Sequence, residues 1–187
     1  MKRILIGTLI GAIIFFGFQS VMWMGGFHDD IFTHTPKQDT IVQYLTNSGM
    51  TDGVYAMPIP DPKAADKKKA MEDCMKDHMG KPWAMVFYHS SMRGEDPGMI
   101  MKGAMHALIA ALLVSLILYN GRFASFGGRF LVSMAFALFA LVLCTFSDIN
   151  WWQYPWSFSK APVMDLTIGW GLCSLWLAFY VKNKTAV

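Results

Sequence analysis

The chain has 187 residues, which is enough for one domain of ordinary size. Hydrophobic residues make up 54% of the sequence and charged residues 16%, against roughly 25% charged in typical soluble domains, so the composition excludes an ordinary soluble protein. The formal net charge of +3 does not predict a nucleic-acid partner, because residues 25–98 carry eleven acidic and eight basic side chains and the basic excess lies beside apolar segments.

Four apolar segments have about the length, roughly 20 residues, that is needed to cross a bilayer. Only Lys102 and Asp165 carry a formal charge within them. The segments are residues 4–24, 99–119, 130–147 and 162–181. The predicted fold is therefore a membrane all-α four-helix bundle with a small α+β domain, residues 25–98, inserted between helices 1 and 2.

The charges beside the apolar segments predict the orientation of the chain. Residues 1–24 contain an apolar run longer than the 7–15 residues of a signal peptide, and no small-x-small cleavage site follows, so we expect a retained signal anchor. Short basic flanks favour the cytoplasm. We expect a multi-pass protein of the bacterial inner membrane with both termini cytoplasmic and residues 25–98 periplasmic. The flanking charges are Lys2, Arg3, Arg122, Arg129, Lys182 and Lys184.

Within residues 25–98 the sequence predicts two helices and two strands. Apolar residues near 41–45 are spaced as on a helix, and "DGVYAMPIP" and "KPWAMVFYHSS" are typical of short strands. The second helix, residues 62–79, has Asp61 as its predicted cap and Gly80 as its end. The direction in which the two strands pair is left open.

This second helix carries a stripe of soft side chains on one face, formed by Met71, Cys74, Met75 and His78. Methionine and free cysteine behave as core hydrophobes, so one interpretation is a face buried against the strands. Thioether, thiolate and imidazole groups are also the ligands that copper prefers, so the other interpretation is a periplasmic soft-metal site for copper.

The sequence predicts an intramembrane polar cluster in the outer half of the bilayer, formed by Gln19, His106, Asp148 and Asp165. Ionisable groups inside a membrane are costly and are often functional, with Asp165 and His106 as the ionisable pair here. They are expected either to bond the helices together, with Asp165 in the first turn of its helix, or to line a path for a proton, a small molecule or a lipid.

The predicted connection between helices 3 and 4, residues 148–161, is rich in aromatic side chains. Trp151, Trp152, Tyr154 and Trp156 lie within it. Aromatic residues of this kind are typical of the membrane interface, and exposed ones also serve as anchors for protein partners. We therefore expect either an aromatic loop in the outer membrane interface or a re-entrant loop that packs under the outer domain or against a partner.

The segments "GVYAMP", "NWWQYPWSF" and "DLTIGWGL" together give the chain a resemblance to uncharacterised bacterial four-span inner-membrane proteins. The resemblance covers most of the chain and implies no activity. Signatures such as GxSxG, HExxH and a phosphate loop do not occur, so no enzymatic activity is predicted. The leading hypothesis is a non-catalytic accessory or assembly subunit in contact with the lipid bilayer and with other membrane subunits or further copies of itself.

Overall fold

The computed structural model describes residues 1–92, 94 and 96–183. Within them, four helices are long and apolar enough to cross a membrane: α1 (Lys2–Met24), α4 (Pro97–Asn120), α5 (Phe126–Trp152) and α6 (Trp156–Tyr180). They pack together in a unit formed by Met1–Thr33 and Asp96–Val187, whereas His34–Glu95 form a second compact unit. The structure confirms the predicted fold class. The flanking Lys184 lies outside the described residues.

The second unit consists of α2 (Gln38–Asn47), β1 (Gly53–Met57), α3 (Lys67–His78) and β2 (Ala84–Tyr88). The two strands pair in antiparallel fashion, with Gly53 opposite Tyr88 and Met57 opposite Ala84. The hydroxyl groups of Tyr88 and Thr46 are 3.0 Å apart and join β2 to α2. The unit is thus a two-stranded sheet with two short helices.

Helix α3 begins later than the sequence predicted. The side chain of Asp66, not that of Asp61, caps it by accepting a hydrogen bond from the backbone N–H of Lys69 over 3.0 Å. Asp61 instead accepts from the backbone N–H of Lys63 in a local turn, which competes with helix formation. The predicted end is confirmed, because Gly80 adopts a left-handed conformation with φ of 75°.

Small residues let the membrane helices approach closely. A Cβ atom added to Gly7 of α1 would lie 2.4 Å from Cγ2 of Val181, and one added to Gly11 would lie 3.1 Å from Cδ2 of Leu177. On α4, Ala107 and Ala111 are buried at the same four-residue spacing. Small residues four apart are a common way for membrane helices to pack backbone against backbone.

Polar side chains join α5 to α6 inside the bundle. The hydroxyl groups of Ser133 and Ser174 are 2.7 Å apart, and the indole of Trp170 donates to the carbonyl of Ser133 over 3.0 Å. Arg129 is buried and donates to the carbonyls of Ala178 and Ala124, over 2.7 and 2.8 Å. Besides carrying a flanking charge, Arg129 therefore ties the last turn of α6 to the loop before α5.

The predicted re-entrant loop at residues 148–161 is wrong. Helix α5 continues to Trp152 and α6 begins at Trp156, so only residues 153–155 connect them. Gln153 turns the chain in a left-handed conformation with φ of 53°, and Pro155 precedes the first helical residue. The charged residues Asp148 and Lys160 ended the apolar runs in the sequence, but they do not end the helices.

Candidate functional site

Helix α6 changes its winding at Asp165. Residues Asp165–Gly169 form a π-helical segment, and helical backbone angles continue on both sides of it. Asp165 therefore lies nine residues after Trp156, in the interior of the helix, and the prediction that it occupies the first turn is wrong. Single π-helical turns within α-helices are frequent at functional sites, so Asp165 is a candidate functional residue.

The side chain of Asp165 is buried, with 7% of its surface exposed. Its Oδ2 atom accepts a hydrogen bond from Nε2 of Gln19 on α1 over 2.8 Å. Its Oδ1 atom is also buried and has no hydrogen-bond partner among residues 1–92, 94 and 96–183. A carboxylate oxygen buried in this way retains its full capacity to accept a hydrogen bond from another group.

His28 is a second buried polar residue, just after the end of α1, and the sequence analysis did not single it out. It follows the turn at Gly25 and Gly26 that ends α1, and only 3% of its surface is exposed. Its ring packs edge-on against Trp23 with 5.0 Å between the ring centroids. Neither ring nitrogen has a hydrogen-bond partner in the described part of the chain.

An ion pair holds the segment that carries His28 against α6. Asp30 lies in the short 3₁₀ turn Asp29–Ile31, and it accepts a hydrogen bond from the ammonium group of Lys160. This bond lowers the pKa of Asp30 below its ordinary value. Phe32 also packs against Phe158 with 6.3 Å between the ring centroids. The contact with Trp23 before His28 and these two contacts after it therefore hold the turn in place.

We define the Asp165 cluster as Gln19, His28 and Asp165. The structure joins Gln19 to Asp165 but leaves the other two predicted polar residues apart. His106 is exposed on α4, and Asp148 is half-buried on α5; neither forms a side-chain hydrogen bond to any residue in the described ranges. A lone histidine after a double glycine carries no periodic signal, so the sequence offered no reason to select His28.

An apolar groove of about 210 Å³ lies one helical turn from the cluster, and all four membrane helices line it. Phe15 lies four residues before Gln19 on α1, and Trp170 lies five residues after Asp165 across the π-helical segment. These two rings pack edge-on with 5.3 Å between their centroids and form part of the groove wall. The polar cluster and the apolar groove are thus adjacent.

The Met/Cys/His stripe on α3 faces outward, so the expected burial against the strands is wrong. Met71 is 44% exposed and Met75 is 59% exposed. Sγ of Cys74 lies 3.9 Å from Nδ1 of His78, which is also 3.0 Å from the carbonyl oxygen of Cys74. Among the described residues no three His, Cys, Asp or Glu side chains converge as a metal site.

Three of the four predicted interaction residues are exposed at the turn between α5 and α6. Trp151 is 75% exposed, and Trp152 and Trp156 are also exposed. Tyr154 is half-buried and packs edge-on against Phe158, with 5.5 Å between the ring centroids. The tryptophans are therefore available to lipid or to a partner, whereas Tyr154 stabilises the turn.

Comparison with protein-family models, with curated proteins and with solved structures gives no significant match. The helices themselves define the class: this is a multi-span membrane protein with four candidate spans. The resemblance to four-span inner-membrane proteins stays a prediction.

Proposed function

We propose that the protein is a non-catalytic accessory or assembly subunit of a larger complex in the bacterial inner membrane. The observation that supports this proposal most strongly is the lack of a core in the inserted unit. Across residues 34–92 and 94, Tyr88 is the only buried side chain. Large hydrophobic side chains elsewhere in the unit are exposed, including Ile41, Val42, Val54, Ile59, Trp83 and Phe87.

Such a unit requires a covering surface. A two-stranded sheet alone is marginally stable in water, and a unit of this size normally depends on a hydrophobic core, a metal or a partner. Val54 and Phe87 are directly opposite each other on β1 and β2, and both are exposed, so they present a continuous apolar pair. Larger exposed apolar patches mark sites of contact with proteins or membranes, and we infer a protein contact here.

The exposed tryptophans at the α5–α6 turn are candidate contact residues in the membrane unit. Trp151, Trp152 and Trp156 belong to the residue types that most often anchor protein interfaces. We infer that they contact the same larger assembly from within the membrane interface.

The proposed orientation has both termini in the cytoplasm and the inserted unit in the periplasm, supported by the flanking Lys2, Arg3, Arg122 and Lys182. Cys74 is the cysteine of the inserted unit, whereas Cys144 and Cys173 lie in α5 and α6. A membrane-impermeant maleimide should therefore label Cys74 in intact spheroplasts. Labelling of Cys74 only after lysis would contradict the orientation.

The double variant Val54→Thr/Phe87→Thr tests the proposed contact. We expect a tagged full-length chain, purified from its native membranes in mild detergent, to retain a stoichiometric partner that the double variant loses. Lys68→Ser on the solvated side of α3 is the matched control, because Lys68 is exposed and pairs with Glu72 of its own helix, and it should keep the partner. Equal retention in both variants would contradict the role of the sheet.

A second candidate function, periplasmic copper binding, is favoured by one observation. Cys74 and His78 already lie side by side, with 3.9 Å between Sγ and Nδ1, on a helix face that also exposes Met71 and Met75. A thiolate, an imidazole and two thioethers form a ligand set that suits Cu(I).

A further inference from the structure

One end of the membrane unit gathers positive charge from four places in the chain. Arg129, at the start of α5, donates to the carbonyl of Ala178 near the end of α6 over 2.7 Å and to that of Phe123 in the loop after α4 over 3.1 Å. The indole of Trp176 in α6 donates to the carbonyl of Gly7 near the start of α1 over 3.3 Å. We call this the basic end. Its cations are Lys2, Arg3, Arg122, Arg129 and Lys182.

The chain supplies no opposite charge at the basic end within the described residues. Among those residues the acidic side chains of the membrane unit are Asp29, Asp30, Asp96, Asp148 and Asp165. The first three lie beside the opposite ends of α1 and α4, and the last two lie in the halves of α5 and α6 that meet at their turn. The described part of the inserted unit, in contrast, carries seven basic and seven acidic side chains.

Arg129 shows that the structure does not neutralise these cations internally. It is buried, with 6% of its surface exposed, and its hydrogen bonds go to the carbonyls of Phe123, Ala124 and Ala178. Carbonyl groups satisfy the N–H donors but carry no net charge. Like charges gathered without opposite charges repel one another, so the basic end attracts anions from its surroundings.

Aromatic side chains place the basic end at the depth of the lipid head groups. Trp176 and Tyr180 stack with 4.9 Å between their ring centroids, and Phe179 between them is 64% exposed. Tryptophan and tyrosine are enriched at the interface between membrane and water. Lys182 follows Tyr180 by two residues and is exposed. The anions closest to such a cation in a bilayer are the phosphates of lipids.

We propose that the basic end is a binding surface for the head groups of acidic phospholipids. Groups of four to eight Lys and Arg residues directly beside membrane helices are typical of such surfaces. The exposed Lys2, Arg122 and Lys182 contact the phosphates, while Arg129 adds its charge from within the bundle. The proposal depends neither on the accessory role nor on the side of the membrane that this end faces.

The test compares dioleoylphosphatidylglycerol with the zwitterionic dioleoylphosphatidylcholine on the purified full-length protein in nonionic detergent. Native mass spectrometry counts the lipids on each chain and gives their Kd. We expect phosphatidylglycerol to bind at least about tenfold more tightly, since each cation near an anionic head group contributes about fivefold. Equal affinities for the two lipids would overturn the proposal.

Two triple variants with the same loss of charge locate the surface. Lys2→Gln/Arg122→Gln/Lys182→Gln should remove the preference for phosphatidylglycerol, and the three exposed positions keep the fold intact. Lys63→Gln/Lys67→Gln/Lys69→Gln, in the inserted unit, is the matched control and should bind as the wild type does. An equal loss in both variants, or in neither, would contradict a surface at the basic end.

Two measurements on the wild type complete the test. Raising the salt from about 0.1 M to 1 M shortens the Debye length from about 10 Å to 3 Å, so the preference for phosphatidylglycerol should shrink severalfold. Glycerol 1-phosphate, which has the phosphate but no acyl chains, should not displace the lipid at equal concentration. A preference that is insensitive to salt, or displacement by glycerol 1-phosphate, would refute a surface for lipid head groups.

Discussion

Nε2 of Gln19 donates a hydrogen bond to Oδ2 of Asp165 over 2.8 Å and joins the first membrane helix to the last. Replacing Gln19 with leucine should destabilise the bundle by about 1.5–3 kcal/mol, because it leaves the buried carboxylate without its side-chain donor. Thermal unfolding in detergent measures this loss. Ser20→Ala is the control, since the Ser20 hydroxyl donates to the carbonyl of Phe16 in its own helix and to no other helix among the described residues. A Gln19→Leu variant as stable as Ser20→Ala would contradict the importance of this contact.

Replacing Gly7 with a larger residue is predicted to destabilise the contact between α1 and the end of α6. In Gly7→Ala the new Cβ would lie 2.4 Å from Cγ2 of Val181, which is fully buried, so the two helices would have to shift or repack. Overpacking of this kind costs about 1–3 kcal/mol. Gly17→Ala on the same helix is the matched control, because nothing lies within 4 Å of its added Cβ. Equal unfolding temperatures of the two variants would show that the close approach of the helices at Gly7 does not contribute to stability.

The ion pair between Asp30 and Lys160 predicts a pH dependence of stability. Because the hydrogen bond from Lys160 lowers the pKa of Asp30 in the folded protein, the pair stabilises the fold above the carboxyl's unfolded pKa. This contribution is lost as the pH falls through the lowered pKa. Asp30→Asn should therefore be less stable than the wild type at pH 7, and the difference should disappear in strong acid.

Unfolding followed over a pH series measures this dependence. The neighbouring Asp29→Asn serves as the control, because Asp29 forms no ion pair within the part of the chain that the structure describes. The same pH dependence in both variants would show that the Asp30–Lys160 pair is not its source.

The copper hypothesis predicts that the full-length protein binds Cu(I) in competition with a chromophoric chelator. Cys74→Ser and His78→Ala should each weaken binding by at least about tenfold, since each removes a direct ligand and even second-shell partners are worth roughly 10–100-fold. Lys76→Ala, on the same helix, should leave the affinity unchanged. Wild-type protein that does not compete for Cu(I) would end this hypothesis.

The sequence predicted the bundle well because apolar length is the dominant signal for a membrane helix, and α1 and α4 lie close to their predicted bounds. The ends of α5 and α6 were misjudged because Asp148 and Lys160 interrupt the apolar pattern, although Lys160 is paired with Asp30 at the surface of the bundle. An ion pair between residues 130 positions apart leaves no trace in local composition.

The candidate site was only half predictable. Asp165 and Gln19 attracted attention because polar groups are costly in a membrane, whereas His28 follows a glycine turn and becomes important only through its burial. The periodicity of the α3 stripe showed which side chains share a face. It did not show whether anything covers that face, because covering depends on tertiary contacts that Met71 and Met75 do not make.

The native mass of the protein shows whether the chain belongs to a larger assembly, as we propose. The full-length protein would be extracted from its own membranes in mild detergent and weighed intact by native mass spectrometry. We predict a complex that contains the 21.0 kDa chain together with at least one different polypeptide. A spectrum that contains only the 21.0 kDa chain or its multiples would contradict the accessory-subunit account.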